Sequence, residues 1–327
     1  MKSEKIMQAE MPTVGRPATA AGKPFLLAGS MVLLAAQLTT LNALENVPRK
    51  PFAQWADLPT PGQWVVTPWY MESEAYHIWR GSQMENVTQI NNGEHYGIDL
   101  MSGILSVEYG IAKKWAADLN VGVTTTGTRS FNATGSSEST LGLMDTSMGV
   151  RYQIFNEAEA KNPWIPTLTF RASGILPGTY DRNFPFAPGN RSAAIEPAFL
   201  AKKHFGWQGF GMYGDALYRW NRTSGTDQYI IATGFLQDIK GWTLNAGYRH
   251  LQCLSGEDIG GVGNTITYSP ELKEISEAFE AGFNYRTSRH KFNYAFNIRK
   301  TFAGRNTADS FWLGAFVDFP FGGKKPE

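Results

Sequence analysis

Apolar and polar side chains alternate with a period of two over most of the chain, from Trp64 to Phe321. Between Phe292 and Phe302 the even positions read Phe, Tyr, Phe, Ile, Lys and Phe, and the odd positions read Asn, Ala, Asn, Arg and Thr. Successive side chains of a β-strand point to opposite faces, so this period is that of a strand. The same region contains no clear amphipathic helix pattern. The sequence therefore predicts an all-β fold in which many strands carry one apolar and one polar face.

About 12 strands are predicted, and the connections between them alternate in length. Every second connection is short, as at 112–114 and 239–241, and the others are mostly longer, as at 80–94 and 255–273. Antiparallel barrels of bacterial outer membranes have short periplasmic turns and longer outer loops. The predicted strands are 64–79, 95–111, 115–128, 140–155, 163–176, 193–204, 207–221, 227–238, 241–254, 274–287, 290–303 and 310–321.

Aromatic residues near the strand ends fit the same architecture. In lipid every backbone polar group must be paired internally, so a closed barrel satisfies its strands and an open sheet does not. A soluble sandwich would instead bury these aromatic residues in a core, but it gives no reason for sorted loop lengths. We therefore predict a closed antiparallel transmembrane β-barrel of about 12 strands. Its interfacial aromatic girdles are predicted to contain Trp64, Trp69, Trp115, Trp164, Trp242, Phe302 and Phe311.

The N-terminal region is organised differently. A net-basic leader precedes an apolar run of 13 residues, Pro24 to Ala36. This run is shorter than the roughly 20 residues of a membrane-spanning helix and fits a secretory signal peptide, the alternative being a buried core helix. We predict a signal peptide over 1–43, an extended segment and possible plug over 44–62, the barrel over 63–321 and a polar tail over 322–327. Export then places the barrel in the outer membrane of a Gram-negative cell.

The second face of each strand is polar and is predicted to line the lumen. Acidic and basic residues on this face are nearly balanced, which leaves two interpretations, a structural ion-pair network or a polar pore with a local charge preference. Asp99 joins this face only if a bulge near Gly103 shifts the parity of its strand. The candidate lumen-lining residues are Asp118, Asp145, Arg151, Arg171, Glu196, Asp215, Arg219, Arg249, Glu280, Arg299 and Asp318.

Several classes of function lack support in the sequence. The net charge of +1 gives no reason to expect a nucleic-acid partner. The single cysteine, Cys253, excludes an internal disulfide, and the five histidines show no metal-ligand spacing. No phosphate loop or hydrolase motif is present. We therefore expect no catalytic activity, no cofactor and no metal.

Three stretches resemble an outer-membrane barrel family named for the meta-pathway of phenol degradation. They are LSVEYGIAKKWAADLNVGV from Leu105, GLMDTSMGVRYQIF from Gly142 and PTLTFRASGILPGTYD from Pro166. The resemblance covers roughly Tyr96 to Phe321 and implies a transporter of aromatic or other hydrophobic compounds. These motifs are strand and turn patterns, so the resemblance implies no ligand residues.

About 12 strands enclose a narrow lumen, so small solutes are the expected cargo. The resemblance implies that these solutes are hydrophobic or aromatic, and we therefore predict a channel for passive uptake of such compounds. The expected partners are outer-membrane lipid and a small solute, and the oligomeric state is left open. The alternative is a structural or interaction barrel with a closed lumen and no transport role.

Overall fold

The computed structural model describes residues 49–86, 96–130, 138–180, 189–206, 209–223, 225–258, 272–289 and 291–323. The predicted signal peptide and most of the predicted C-terminal tail lie outside these residues. In the described part of the chain, no helix is both long enough and apolar enough to cross a membrane.

The described chain forms one short helix and fourteen strands. A 3-10 turn at Gln54–Ala56 precedes the first strand. The strands are β1 (Gln63–Arg80), β2 (Gln83–Asn86), β3 (Tyr96–Ala112), β4 (Trp115–Ser130), β5 (Glu138–Leu143), β6 (Thr146–Phe155), β7 (Thr167–Leu176), β8 (Ala194–His204), β9 (Phe210–Asn221), β10 (Gln228–Ile239), β11 (Trp242–Cys253), β12 (Ile275–Arg286), β13 (Asn293–Arg305) and β14 (Ala308–Gly322).

These strands form a closed antiparallel barrel with twelve positions in its wall. Strand β1 pairs with β3 on one side and with β14 on the other, so the first and last strands close the sheet. Both β5 and β6 pair with β4, one after the other, and together occupy a single position in the wall. The short strand β2 pairs with the end of β1 as a hairpin. The prediction of a closed barrel of about 12 strands is confirmed.

The outer face of the barrel is apolar and the inner face is mixed. Large side chains such as Trp64, Phe235, Phe302 and Phe321 alternate with buried residues and are exposed on the outside. Contact of this apolar surface with water would be unfavourable, whereas lipid tails solvate it. The closed ladder also leaves no strand edge unpaired in the lipid. Most of the short connections gather at one end with the start of β1 and the end of β14, and most of the longer ones at the opposite end. The exceptions include 156–166, which is long but lies at the short-turn end, and 306–307, which is short but lies at the long-loop end.

Strand β13 illustrates the two faces. Tyr294 and Phe302 are exposed on the outside, whereas Ala295 and Thr301 are buried inside. Lys300 lies on the outer face near the long-loop end, where its ammonium group forms an ion pair with Asp309. A long cationic side chain at this level reaches the polar headgroup region.

Two details differ from the sequence-based predictions. The pairing of β3 with both neighbours runs unbroken through Gly103, and the register shift lies between Gly110 and Ala112. Asp99 therefore lies on the opposite face from the buried Ile98 and Leu100. The predictions of a bulge near Gly103 and of an inward orientation of Asp99 are therefore wrong.

The prediction that Trp69 belongs to an interfacial aromatic girdle is also wrong. Its side chain is only 8% exposed and packs inside the barrel with Ile104, Met144 and Phe316. It therefore contributes to the inner wall and not to an interfacial girdle, because its parity along β1 matches that of the buried Thr67 and Ser73.

Candidate functional site: the lumen

Residues 49–60, here called the lumen segment, lie against the inner face of the wall. The segment contains the 3-10 turn but no strand, and Phe52, Ala53, Trp55 and Ala56 are all buried. Phe52 and Ala53 have φ angles of 57° and 50°. Two successive non-glycine residues in the left-handed region are unfavourable by themselves, so the surrounding wall must hold this conformation.

Trp55 anchors the lumen segment between two arginines of the wall. The guanidinium carbons of Arg151 and Arg171 lie 5.3 and 4.8 Å from the centre of its ring. Such cation–π contacts are strongest where the cation is desolvated, as both arginines are here. Arg151 Nη1 also donates a hydrogen bond to the Trp55 carbonyl oxygen at 3.1 Å, and Thr169 Oγ1 donates to the Ala56 carbonyl at 2.6 Å.

Lys50 fastens the beginning of the same segment. Its Nζ atom lies 2.5 Å from Glu108 Oε1 on β3 and 2.7 Å from Asp318 Oδ1 on β14. Burial opposes the charge, but the two carboxylates outweigh this effect and raise the pKa of Lys50. Next to it, Arg49 lies 3.4 Å from Asp215 on β9. The segment thus bridges separate parts of the wall by ion pairs.

The wall itself carries a continuous chain of ion pairs. Arg151 Nη2 lies 2.6 Å from Glu108 Oε2, and its Nε lies 3.4 Å from Asp118. Arg171 continues the chain, with Nη2 2.6 Å from Asp118 and Nη1 3.6 Å from Glu196. Arg219 Nη2 then lies 2.6 Å from Glu196 Oε2. Because these side chains are almost fully buried, each charge depends on its partners for stabilisation.

The structure brings only some of the predicted lumen-lining residues together. Asp118, Arg151, Arg171, Glu196 and Arg219 form the chain of ion pairs described above. Glu280 accepts a hydrogen bond from Tyr213, and Arg299 lies over the Trp312 ring. Arg249 is half-buried on β11. The other three predicted residues contact different partners: Asp215 contacts Arg49, Asp318 contacts Lys50, and Asp145 binds elsewhere.

Sequence reasoning missed the partners that the lumen segment contributes. Arg49, Lys50 and Trp55 stand in a Pro-rich stretch without periodicity, so their spacing does not indicate which wall residues they meet. The one available signal was the composition of this stretch, because two adjacent cations and a tryptophan can form ion pairs and ring contacts with a wall.

Two wall glycines create space for the lumen segment. A Cβ atom on Gly110 would collide with the carbonyl oxygens of Pro59 and Thr60. A Cβ atom on Gly282 would lie 2.7 Å from the Phe52 ring. Neither glycine has a positive φ angle. Their role is to permit close approach of the segment, and not to provide an unusual backbone conformation.

Asp145 belongs to a second buried site, at the break between β5 and β6. It accepts hydrogen bonds from the Gly178 amide at 2.8 Å and from Tyr180 Oη at 3.0 Å. The Tyr180 hydroxyl in turn accepts the Arg191 amide at 2.6 Å. A Cβ atom on Gly142 would lie 2.5 Å from Tyr180 Cα. Two of the sequence motifs, from Gly142 and from Pro166, thus meet in one clasp, which ties Gly178, Tyr180 and Arg191 to the break between β5 and β6.

Replacement of Tyr180 by Phe is expected to loosen this clasp. The substitution leaves the Arg191 amide without its acceptor and removes one hydrogen bond to Asp145, at a cost of about 1–2 kcal/mol. Hydrogen exchange of residues 177–180 and 189–193 should become at least about fivefold faster, which corresponds to 1 kcal/mol. Tyr218→Phe is the matched control, because Tyr218 Oη also binds an aspartate, Asp227, but at an exposed position. Equal exchange in the two variants would contradict this role of the clasp.

A cavity of about 450 Å³ occupies the short-turn end of the lumen. It is lined on one side by the lumen segment and otherwise by the ends of wall strands. The described residues contain no group of three or more His, Cys, Asp or Glu side chains suited to a metal ion.

Comparison with known proteins supports the fold. No protein-family model matches the chain, and no curated protein sequence matches it. The chain is similar to the crystal structure of an outer membrane channel from Pseudomonas putida F1, with a TM-score of 0.60 and 15% identity over 84% of this chain and 100% of that one. It is also similar to the translocator domain of the autotransporter NalP from Neisseria meningitidis, with a TM-score of 0.47 and 12% identity over 93% and 100% of the two chains. A third similar structure is the monoaromatic hydrocarbon channel CymD, with a TM-score of 0.42 and 10% identity over 89% and 97%. At 15% identity, the likeness to the first of these structures supports the fold alone, which is that of an outer-membrane β-barrel.

Proposed function

We propose that this protein is an outer-membrane channel for passive uptake of small hydrophobic or aromatic compounds, and that the lumen segment is its plug. The closed wall, the apolar outer face and the predicted signal peptide all support a place in the outer membrane. The channel from Pseudomonas putida F1 has the same fold. The narrow lumen of a 12-stranded barrel restricts passage to small solutes.

One observation carries the proposal. The lumen is occupied by a segment that is not part of the wall, and this segment is held mainly by side-chain contacts and ion pairs. Its displacement breaks no strand pairing, so a pathway can open while the barrel stays closed around it. A barrel of about 8 strands can fill its interior with side chains of the wall, whereas a wider barrel leaves space that a segment such as this one can occupy.

The inner face supports an apolar cargo as well as a polar one. Between the charged side chains it carries two apolar clusters. One contains Trp69, Ile104 and Phe316, and the other contains Leu217, Ile230 and Leu251. These side chains are at most 8% exposed, so a solute with an aromatic ring reaches them only when the contacts inside the lumen open.

The alternative function is that of a structural or interaction barrel with a permanently closed lumen. The density of buried ion pairs around Trp55 favours it, because each pair resists displacement of the segment. In this case the charged network would serve the rigidity of the wall, and the apolar outer face would serve only to anchor the protein.

The two functions predict different phenotypes for a strain that lacks the gene. If the protein is a channel, the deletion strain should grow more slowly than the wild type on an aromatic carbon source at limiting concentration. The wild-type gene should restore the growth rate. The purified protein should also conduct ions in planar bilayers, at least in brief openings. Normal growth of the deletion strain, together with no detectable conductance, would leave only the structural barrel.

A further inference from the structure

The cavity at the short-turn end has the composition of a binding site. Its volume of about 450 Å³ falls within the range of sites for small molecules. It lies between the lumen segment and the mouth of the barrel, because Phe52, Asp57 and Pro59 line it together with strand ends at Arg286 and Trp242. A solute that passes the lumen segment from the long-loop end would reach this cavity next.

A row of three asparagines crosses the wall of the cavity. Asn245 on β11 donates to Asn284 on β12 at 3.4 Å, and Asn284 donates to Asn293 on β13 at 3.2 Å. Asn293 then donates to Asp318 Oδ2 at 2.9 Å. Each side-chain amide carries two donor hydrogens, so one N–H of each asparagine is left after these bonds. The row therefore offers several donors to an oxygen-bearing solute.

Two cations of the cavity lack an acidic partner. Arg286, at the end of β12, and Lys291, in the following turn, both line it. Neither forms an ion pair with a carboxylate among the residues that the structure describes. The other lysines of the cavity are paired, Lys202 with Asp57 and Lys50 with two carboxylates. The carboxylate of Asp238 is likewise engaged by His204. The lining holds four lysine or arginine side chains and four carboxylates, so its charges balance, and the two cations without a carboxylate partner lie together at the mouth, where an anionic group can meet them.

The same cavity has apolar lining. Phe52, Leu58 and Pro59 of the lumen segment and Leu236 of β10 contribute carbon surface to it. Donors, free cations and apolar surface are therefore combined in one space. This combination matches a molecule with a ring at one end and an anionic oxygen group at the other.

We propose that this cavity binds small aromatic carboxylates, with Arg286 and Lys291 as the residues that select the carboxylate. The biological role of this site rests on the proposed function, because the site would bind the class of solute that leaves the channel at this end. The binding itself does not require conduction, and for this reason it can be tested separately.

Binding is measured by calorimetry on the full mature chain in detergent micelles, with benzoate and with its neutral analogue benzamide. Benzoate is expected to bind at least about tenfold more tightly than benzamide, because a charge-assisted contact replaces a neutral one. The double variant Arg286→Gln with Lys291→Gln should lose at least about tenfold in benzoate affinity and little in benzamide affinity. Arg289→Gln is the matched control, since it removes a charge from the same turn outside the cavity lining, and it should stay within about twofold of the wild type.

Equal affinities for benzoate and benzamide would overturn the inference, as would undiminished benzoate binding by the double variant. Absence of benzoate binding to the wild type would also overturn it. These outcomes are distinct from failure of the channel, which would appear as absent conductance in a protein that still binds benzoate. Conversely, conduction without benzoate binding would leave the proposed function intact and remove this site alone.

Discussion

Deletion of residues 49–60 is expected to raise the single-channel conductance at least about threefold, because a segment that occupies much of a narrow lumen is removed. The wall should persist, since no strand pairing involves these residues. Water then replaces Lys50 and Trp55 next to the charged side chains of the wall. Planar-bilayer recordings of the purified variant measure the effect, and heat-modifiable migration on gels shows that the barrel is folded.

Gln54→Ala serves as the control for this deletion. Gln54 belongs to the same segment but is only half-buried, and its neighbours Trp55 and Ala56 make the anchoring contacts. The conductance of the Gln54→Ala variant is expected to equal that of the wild type. A deletion variant that is folded but conducts no better than Gln54→Ala would show that the lumen segment is not the restriction.

Arg171→Met is expected to destabilise the barrel by about 3 kcal/mol or more, because the loss of one partner leaves buried charges uncompensated. Arg171 lies between Asp118 and Glu196 and is almost fully buried. It also contacts the Trp55 ring, so the lumen segment loses part of its anchor. Urea unfolding in lipid vesicles, followed by tryptophan fluorescence, measures the free energy of unfolding.

Two companion variants show whether the effect comes from the charges. Adding Asp118→Asn to Arg171→Met should recover a substantial part of the lost stability, because one uncompensated charge disappears. Arg286→Met removes an arginine from the exposed end of β12 and should change the stability by less than about 0.5 kcal/mol. Equal losses for Arg171→Met and Arg286→Met would contradict the importance of the buried network.

The sequence predicted the barrel well because its signals are local. The period of two and the alternation of connection lengths each follow from nearby residues. The outward position of Asp99 shows where this reasoning failed. Its pairing with Glu74 places it towards the long-loop end of the wall, where the outer face approaches the headgroup region. A charge at such a level does not require an inward orientation, and no bulge is needed to explain it.

The lumen segment could not be predicted in detail because its contacts are non-local. Arg151 meets Trp55 across 96 positions of sequence, and nothing in the spacing of either residue indicates the other. Trp69 shows a related limit. An aromatic residue near a strand end suits both a girdle and an inner cluster, and only the register with the neighbouring strands decides between them.

The most direct test of the account compares two valine substitutions on the same strand. A side chain at Gly110 must displace the carbonyl groups of Pro59 and Thr60, whereas at Gly103 the nearest atom to a new Cβ is 3.8 Å away, on Val123. Single-channel recordings of Gly110→Val should show a higher conductance or a longer open time than the wild type, and Gly103→Val should match the wild type. Identical currents from the two folded variants would contradict the claim that the lumen segment closes a channel.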